Sequence, residues 1–409
     1  MTRPPRLAAA RVNAYLADKQ GLARAGRRPE VEQTTRDIVA LHASSPTSPY
    51  LSLWARLPHF GRETLETALY RKRSLAKMLC MRATLHVLPS DEVAIFVQAC
   101  RSVLEKRTPP RFRDEGLLVQ AGICGQAEAQ ARWADLQAQI LAFLAQQGPA
   151  TVSEITDAVP VLQTKIHHDA GTRYAGSFSI GTRVVYAMCA QGLLIRTQIR
   201  GSWRSSLYEY APLAEWLPEA NLATVDRRTA QAKLVRRYLA GFGPASAADA
   251  QWWTGLTKTE IQRALQVMQD ETVAVEIEGL AGEFLMLAAD LEPLRALEPP
   301  GTGVTLLPEL DPYIMGYQDR RRFLDPAQQA KLFDRAGNAV PTVWIGGRIA
   351  GAWGQRDDGR VVTRLFEPVS RAERALLDGE AARLTEFLAG EYLPPRYGTA
   401  FTKDREAFG

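Results

Sequence analysis

Apolar positions recur along this chain with two periods, one near 3.6 residues and one of 2, and the points where one gives way to the other divide it into modules. Val31, Thr35, Ile38 and His42 fall at i, i+4, i+7 and i+11, one face of a helix, and Pro46 stops that helix within a turn. His42 and Ser44 are therefore expected in its last turn. An alanine-rich, helix-compatible stretch from residue 6 to 22 precedes it, closed by Gly21 and the basic loop Arg24 to Arg28. Beyond Tyr50 to Trp54, a helix from about Arg62 to Arg71 leads into Ser74 to Leu88, where the period becomes alternating and predicts a hairpin. In that hairpin Met81, Ala83, Leu85 and Val87 face one side, and Arg82, Thr84 and His86 the other. Helices followed by a two-stranded ribbon are the outline of a winged helix-turn-helix.

The outline recurs. Leu144-Ala145-Gln146-Gln147-Gly148-Pro149-Ala150-Thr151 resembles Leu239-Ala240-Gly241-Phe242-Gly243-Pro244-Ala245-Ser246 at the same offsets, the mark of a repeated module. In each copy a helix ends at Gly, and Thr151 or Ser246 then caps a short helix, Val152 to Ala158 or Ala247 to Thr254. A third helix follows, about Gly181 to Gln191 in one copy and Lys258 to Gln269 in the other. The ribbon after the first of these, Leu193 to Tyr210, alternates Ile195 and Ile199 with Arg196, Gln198 and Arg200, and carries Trp203 and Arg204 near its tip. It has no acid before Glu209. The ribbon after the second, Val273 to Leu287, is acidic and reads as structural.

From Thr302 onward the pattern changes to short strands around residues 304–307, 342–345, 348–353 and 360–366, with Gly346-Gly347 and Asp357-Asp358-Gly359 as hairpin turns. A polar loop, Asp319 to Arg322, interrupts them and reads as a solvated face; a helix from Ser370 to Leu388 follows. The predicted class is α+β: three tandem winged helix-turn-helix modules over residues 1–120, 121–220 and 221–297, and a C-terminal antiparallel β-barrel-like domain over residues 298–409.

Composition narrows the function. With 409 residues, 46% hydrophobic and 23% charged, the chain is an ordinary globular protein of several domains. No apolar run is long enough to span a bilayer and the N-terminus lacks the apolar core of a secretory signal, so a cytoplasmic, nucleoid-associated protein is expected. The four cysteines form no CxxC pair, and His167-His168, which reads as a polar loop, has no ligand cluster beside it; neither metal nor cofactor is expected. A net charge of +5 favours a polyanionic partner.

Candidate chemistry lies at His42 and Ser44. An imidazole titrates near neutrality and suits the placing or deprotonation of a water, which the Ser44 hydroxyl would help to orient. The helix dipole also favours a histidine at a C-terminus, and Ser-Ser-Pro is ordinary helix-stop punctuation. Spacing leaves both readings open. On the second ribbon Arg196, Arg200 and Arg204 suit phosphates, while Trp203 either packs against a sugar or base step or covers a neighbouring module. Arg82, Thr84 and His86 are a weaker version of the same surface.

Leu41 to Leu57, Met81 to His86, Gly243 to Asp249 running into Trp252 to Leu256, and Leu306 to Tyr313 through Asp319-Arg320 together resemble the winged-helix family of alkylpurine DNA glycosylases typified by AlkZ and YcaQ. The resemblance covers nearly the whole chain. It implies three winged helices and a β-barrel that embrace DNA, and a Gln-apolar-Gln or Gln-apolar-Asp motif at the catalytic position. Here that position reads His42-Ala43-Ser44. The function implied is a monofunctional, monomeric glycosylase acting on bulky N7-alkylated purines in double-stranded DNA, in the context of self-resistance to a DNA-alkylating natural product. Its competitor is a non-catalytic winged-helix lesion sensor or regulator. A small-molecule enzyme has no support, since the chain contains no Gly-rich phosphate loop or nucleophile elbow.

Overall fold

The helix that begins at Val31 stops at Asp37, short of His42. Ile38 caps it, and Val39 takes a left-handed backbone with φ 71°, a conformation that strains a β-branched residue. His42 thus lies not in a last helical turn, as the periodicity predicts, but on the two-residue strand Leu41–His42. Val39 fits because Gly241 has no side chain: a Cβ there would stand 2.6 Å from Val39 Cγ2.

A computed structural model describes residues 3–23, 30–107, 113–168, 176–297 and 303–403. The expected basic loop Arg24 to Arg28 lies outside the described residues. The chain divides into two units, residues 1–65 with 232–409, and residues 66–231.

In the first unit the strand Arg6–Leu7 pairs in parallel with Thr272–Ile277, which pairs antiparallel with Phe284–Leu287. The N-terminal helix consequently begins only at Ala9 and runs to Lys19, the residues before it having been drawn into that sheet. The ribbon follows three helices, Arg227–Phe242, Ala247–Thr254 and Lys258–Val267. Ser246 and Thr257 cap the second and third of these by reciprocal bonds with Asp249 and Glu260, satisfying end N–H groups in the way the repeat predicts for Ser246. Tyr238, Phe242, Trp253, Tyr317 and Phe323 pack with ring centroids 5.2 to 5.9 Å apart. Arg320 and Arg322, expected on a solvated loop, are buried against aromatic faces, Arg320 3.8 Å from the Phe333 ring centre and Arg322 4.4 Å from that of Tyr317. Cation–π contact and the Pro244 carbonyl, 2.8 Å from Arg322 Nη1, replace water around that charge. Arg321 alone of this run is exposed, and it pairs with Asp319.

The C-terminal sheet is four-stranded and antiparallel, ordered Val304–Leu307, Thr342–Ile345, Arg348–Gln355 and Val361–Leu365. The expected barrel is corrected to an open sheet: among the described residues these strands do not close on themselves, and four short strands are too few for a filled cylinder. Helix Arg371–Leu388 packs instead against Val304–Leu307 and Val361–Leu365. Gly346 and Gly347, at φ 53° and 90°, make the predicted turn, which needs left-handed backbone at both positions.

In the second unit the strands run side by side in the order Leu85–Pro89, Leu75–Leu79, Leu194–Ile199, Tyr208–Pro212 and Ala150–Thr151. Helices Val93–Arg107, Ala129–Gln147, Val152–Ala158 and Ile180–Ala190 accompany them. Thr151 caps Val152–Ala158 in a reciprocal pair with Glu154. His167 and His168, read as a loop, lie on the strand Lys165–His168, paired with Gly176–Ser179.

Candidate active site and DNA-binding surface

The His42-Ala43-Ser44 segment is held from several directions within the first unit. Val39 turns the chain sharply, Leu41 and Ala43 are buried, and His42 is 8% exposed. The Ser44 backbone N–H donates to His42 Nδ1 at 3.4 Å. An imidazolium has no lone pair to accept that bond, so the arrangement suits the neutral ring; at this length the lone pair is only weakly engaged. Arg396 Nη1 donates to the Ser44 carbonyl at 2.9 Å, fixing the other side of the peptide.

A carboxylate not singled out in the sequence stands behind the segment. Glu309 is buried, and its Oε2 accepts the backbone N–H groups of Arg396 at 3.0 Å and Tyr397 at 3.1 Å. Burial pushes its pKa up, against the opposing pull of hydrogen bonds from Ser45, Tyr397 and Arg396. Its own carbonyl accepts from Ser48 Oγ at 2.8 Å. Two residues on, Asp311 binds Ser52 Oγ and the Arg56 guanidinium, whose Nε donates to the Gln20 carbonyl. Helix Ser48–Trp54, which leads away from the candidate site, is thereby pinned to the loop after strand Val304–Leu307. The Leu306 to Tyr313 motif supplies this pinning. Likewise Asp249 Oδ1 accepts the Gln318 and Asp319 N–H groups at 2.8 and 3.1 Å. The signal for Glu309 was its place in a Pro-Glu-Leu-Asp-Pro run, where a buried acid needs local donors.

The residues expected to meet DNA lie in the second unit and differ from one another in setting. The predicted alternation at residues 81–87 breaks, because Met81–Ala83 is a 3-10 turn with Arg82 and Ala83 at φ 55° and 57°. His86 is consequently not on a solvent face: strand Leu85–Pro89 is buried throughout, and the His86 Nδ1 lies 3.2 Å from the Thr84 carbonyl and 3.6 Å from Cys80 Sγ. Burial pushes its pKa down to about 4. Thr84 Oγ1 donates to the Met81 carbonyl, and burial lowers the Arg82 pKa, helped by the charge of Arg107. Trp203, read as either DNA-facing or covering a neighbouring module, is 6% exposed, which agrees with the covering alternative. The apolar side chain at the surface of this ribbon is Leu207, 52% exposed, beside the exposed Arg204. Arg200 already faces two carboxylates, Glu209 at 2.6 Å and Glu154 at 3.0 Å. It ties the ribbon to the capping box of helix Val152–Ala158.

Lys77 is a further residue that the pattern hid. Its strand reads as apolar, yet its side chain is buried opposite Arg196, with Nζ 4.7 Å from the centre of the Tyr208 ring. Desolvation, and then the Arg196 charge, push its pKa down to about 7. Arg196 itself stacks over Tyr210 at 5.5 Å.

Known proteins resemble the chain in sequence and in fold. The family described as DNA glycosylase AlkZ-like matches residues 35–387. The protein is accordingly of the DNA glycosylase class, hydrolases of N-glycosyl bonds in DNA. It belongs to the AlkZ-like family. Among solved structures, the DNA glycosylase AlkZ of Streptomyces sahachiroi superposes with a TM-score of 0.74 over 95% of this chain and 99% of that one, at 21% identity, which shows a shared fold. No curated protein matches the chain. Among the described residues no helix is long and apolar enough to cross a membrane.

Proposed function

We propose that this glycosylase removes N7-alkylated purines, bulky ones included, from duplex DNA as a monofunctional, monomeric enzyme, and that it serves self-resistance to a DNA-alkylating natural product. The observation that supports it most is the match of residues 35–387 to the DNA glycosylase AlkZ-like family, together with the nearly buried His42 in the segment that the sequence resemblance puts at the catalytic position. An N7-alkylguanine is cationic in DNA. When the C1′–N9 bond breaks, its electron pair neutralises the base, so the leaving group needs no proton. Water adds to C1′ and must shed one. A neutral His42 accepts that proton and Ser44 holds the water, while an imidazolium would oppose the positive sugar.

For DNA binding, the three helix-and-ribbon segments act as winged helices, with Arg196, Arg204 and the Arg82 turn near phosphates and Leu207 taking the wedging role that the sequence pattern gave to Trp203. Arg200 and Thr84 brace these elements through local bonds, and His86 packs beneath them. The His-Ala-Ser departure from the family motif favours one other reading, a lesion sensor that binds without cutting. Incubation of duplex DNA carrying N7-methylguanine separates the two: the glycosylase releases free base and leaves an abasic site, whereas a sensor retards the DNA and leaves it intact.

A further inference from the structure

The first unit contains a cavity of about 530 Å³, inside the range of roughly 300–1,000 Å³ usual for small-molecule sites. The sheet forms one wall through Trp353 and Val362, and the C-terminal segment forms another through Tyr392 and Leu393. Thr47 brings the cavity to within a few residues of Ser44 in the chain, and Glu309 sits in its lining. These walls suit a planar, partly aromatic ligand. Asp357, Asp358, Arg356 and Arg360 also line it, with Arg360 held on Asp358 at 2.6 Å, so this rim is of mixed charge. Glu309 has donors in Ser45 and the N–H groups of Arg396 and Tyr397. A carboxylate offers about four acceptor positions, which leaves room for an N–H from a ligand.

We infer that this cavity is the subsite for the N7-alkylated purine itself, with Glu309 accepting an N–H from the Watson–Crick edge and the alkyl substituent lying along the Trp353 and Leu393 walls. The inference rests on the glycosylase reading and adds that the base enters the protein instead of staying in the stack. A purine ring fills a fraction of the volume, and the remainder accommodates an aromatic substituent. The buried acid also suits the positive charge of the alkylated base. Because Glu309 contacts Ser45 and the backbone of Arg396, whose guanidinium holds Ser44, occupancy of the cavity and placement of the candidate catalytic segment are mechanically connected.

The test is equilibrium binding of free N7-methylguanine and N7-benzylguanine to the full chain without DNA, by calorimetry. The benzyl compound is expected to bind at least about tenfold more tightly, since its ring adds apolar contact. Val362→Trp and Leu393→Trp, which fill the cavity from opposite walls, should each weaken it by about tenfold or more, and Glu309→Gln should weaken both bases; each variant's thermal unfolding shows that it is folded. No binding of either base by the wild type, or binding unchanged in both tryptophan variants, overturns the assignment. Base release from alkylated duplex DNA, measured in parallel, scores the glycosylase reading separately. Release without free-base binding removes the cavity from the account and leaves the glycosylase, while binding without release supports the cavity and removes the catalytic role.

Discussion

Arg56 and Asp311 meet as a bidentate ion pair with neither side chain exposed, Nη1 2.7 Å from Oδ2 and Nη2 2.8 Å from Oδ1. The pair joins the end of helix Ser48–Trp54 to the loop that carries Glu309, so it sets the spacing behind the His42 segment. Asp311→Ala leaves the guanidinium buried and unpaired, and should cost about 3–5 kcal/mol of stability, read by denaturant unfolding. Replacing both residues with apolar side chains should recover much of the loss. A single substitution that costs less than about 1 kcal/mol would show that the pair does not hold this junction.

His86 should make the protein's stability sensitive to acid. Its folded-state pKa, pushed down to about 4, lies below the value of about 6.5 for an unfolded histidine. Between those two values the unfolded chain binds the extra proton, so stability is lost as pH falls from about 6.5 towards 4. His86→Leu should flatten the unfolding midpoint across this window. An unchanged slope would place the acid sensitivity elsewhere.

Lys77 acts with the same sign in a more alkaline window. Its folded pKa of about 7 lies below the unfolded value of about 10.4. The unfolded chain binds more protons between them, so stability rises with pH across that window and the burial cost is largest below it. Lys77→Met removes the ammonium and keeps the length of the chain, and should raise the midpoint at pH 7 by roughly 1–3 kcal/mol equivalent. A lower midpoint at pH 7 would mean that the ammonium is favourably held.

On the second ribbon the two arginines should separate. Arg200 is neutralised by Glu154 and Glu209, so Arg200→Ala should scarcely change the salt dependence of DNA binding. Arg204→Ala should lower the slope of log K against log salt by about 0.9, one phosphate's worth of released counterion. Leu207→Ser should weaken binding with little effect on the slope, because its contribution is apolar. Equal slope changes for both arginines would contradict this division.

The helices and ribbons were legible because their signals are local. Thr151 and Ser246 announce their capping partners three residues on, and Gly346-Gly347 admits one kind of turn. The position of His42 was not legible, since nothing in a 3.6-residue pattern reveals that Val39 turns left-handed; that depends on Gly241, distant in sequence and close in space. Nor does alternation reveal whether a strand is covered on one face or both, which is why His86 and Lys77 read as surface residues or passed unnoticed. The candidate motif His42-Ala43-Ser44 was readable in one line, but its supports, Glu309 and Arg396, come from the other end of the chain.

Single-turnover release of N7-methylguanine from duplex DNA, by the wild type, His42→Ala and Ser44→Ala with DNA binding followed alongside, tests the central claim most directly. The account predicts release by the wild type, a loss of at least about a hundredfold in rate for His42→Ala, as for a general base, a smaller loss for Ser44→Ala, and DNA binding retained in both. Release at the wild-type rate by His42→Ala would contradict it.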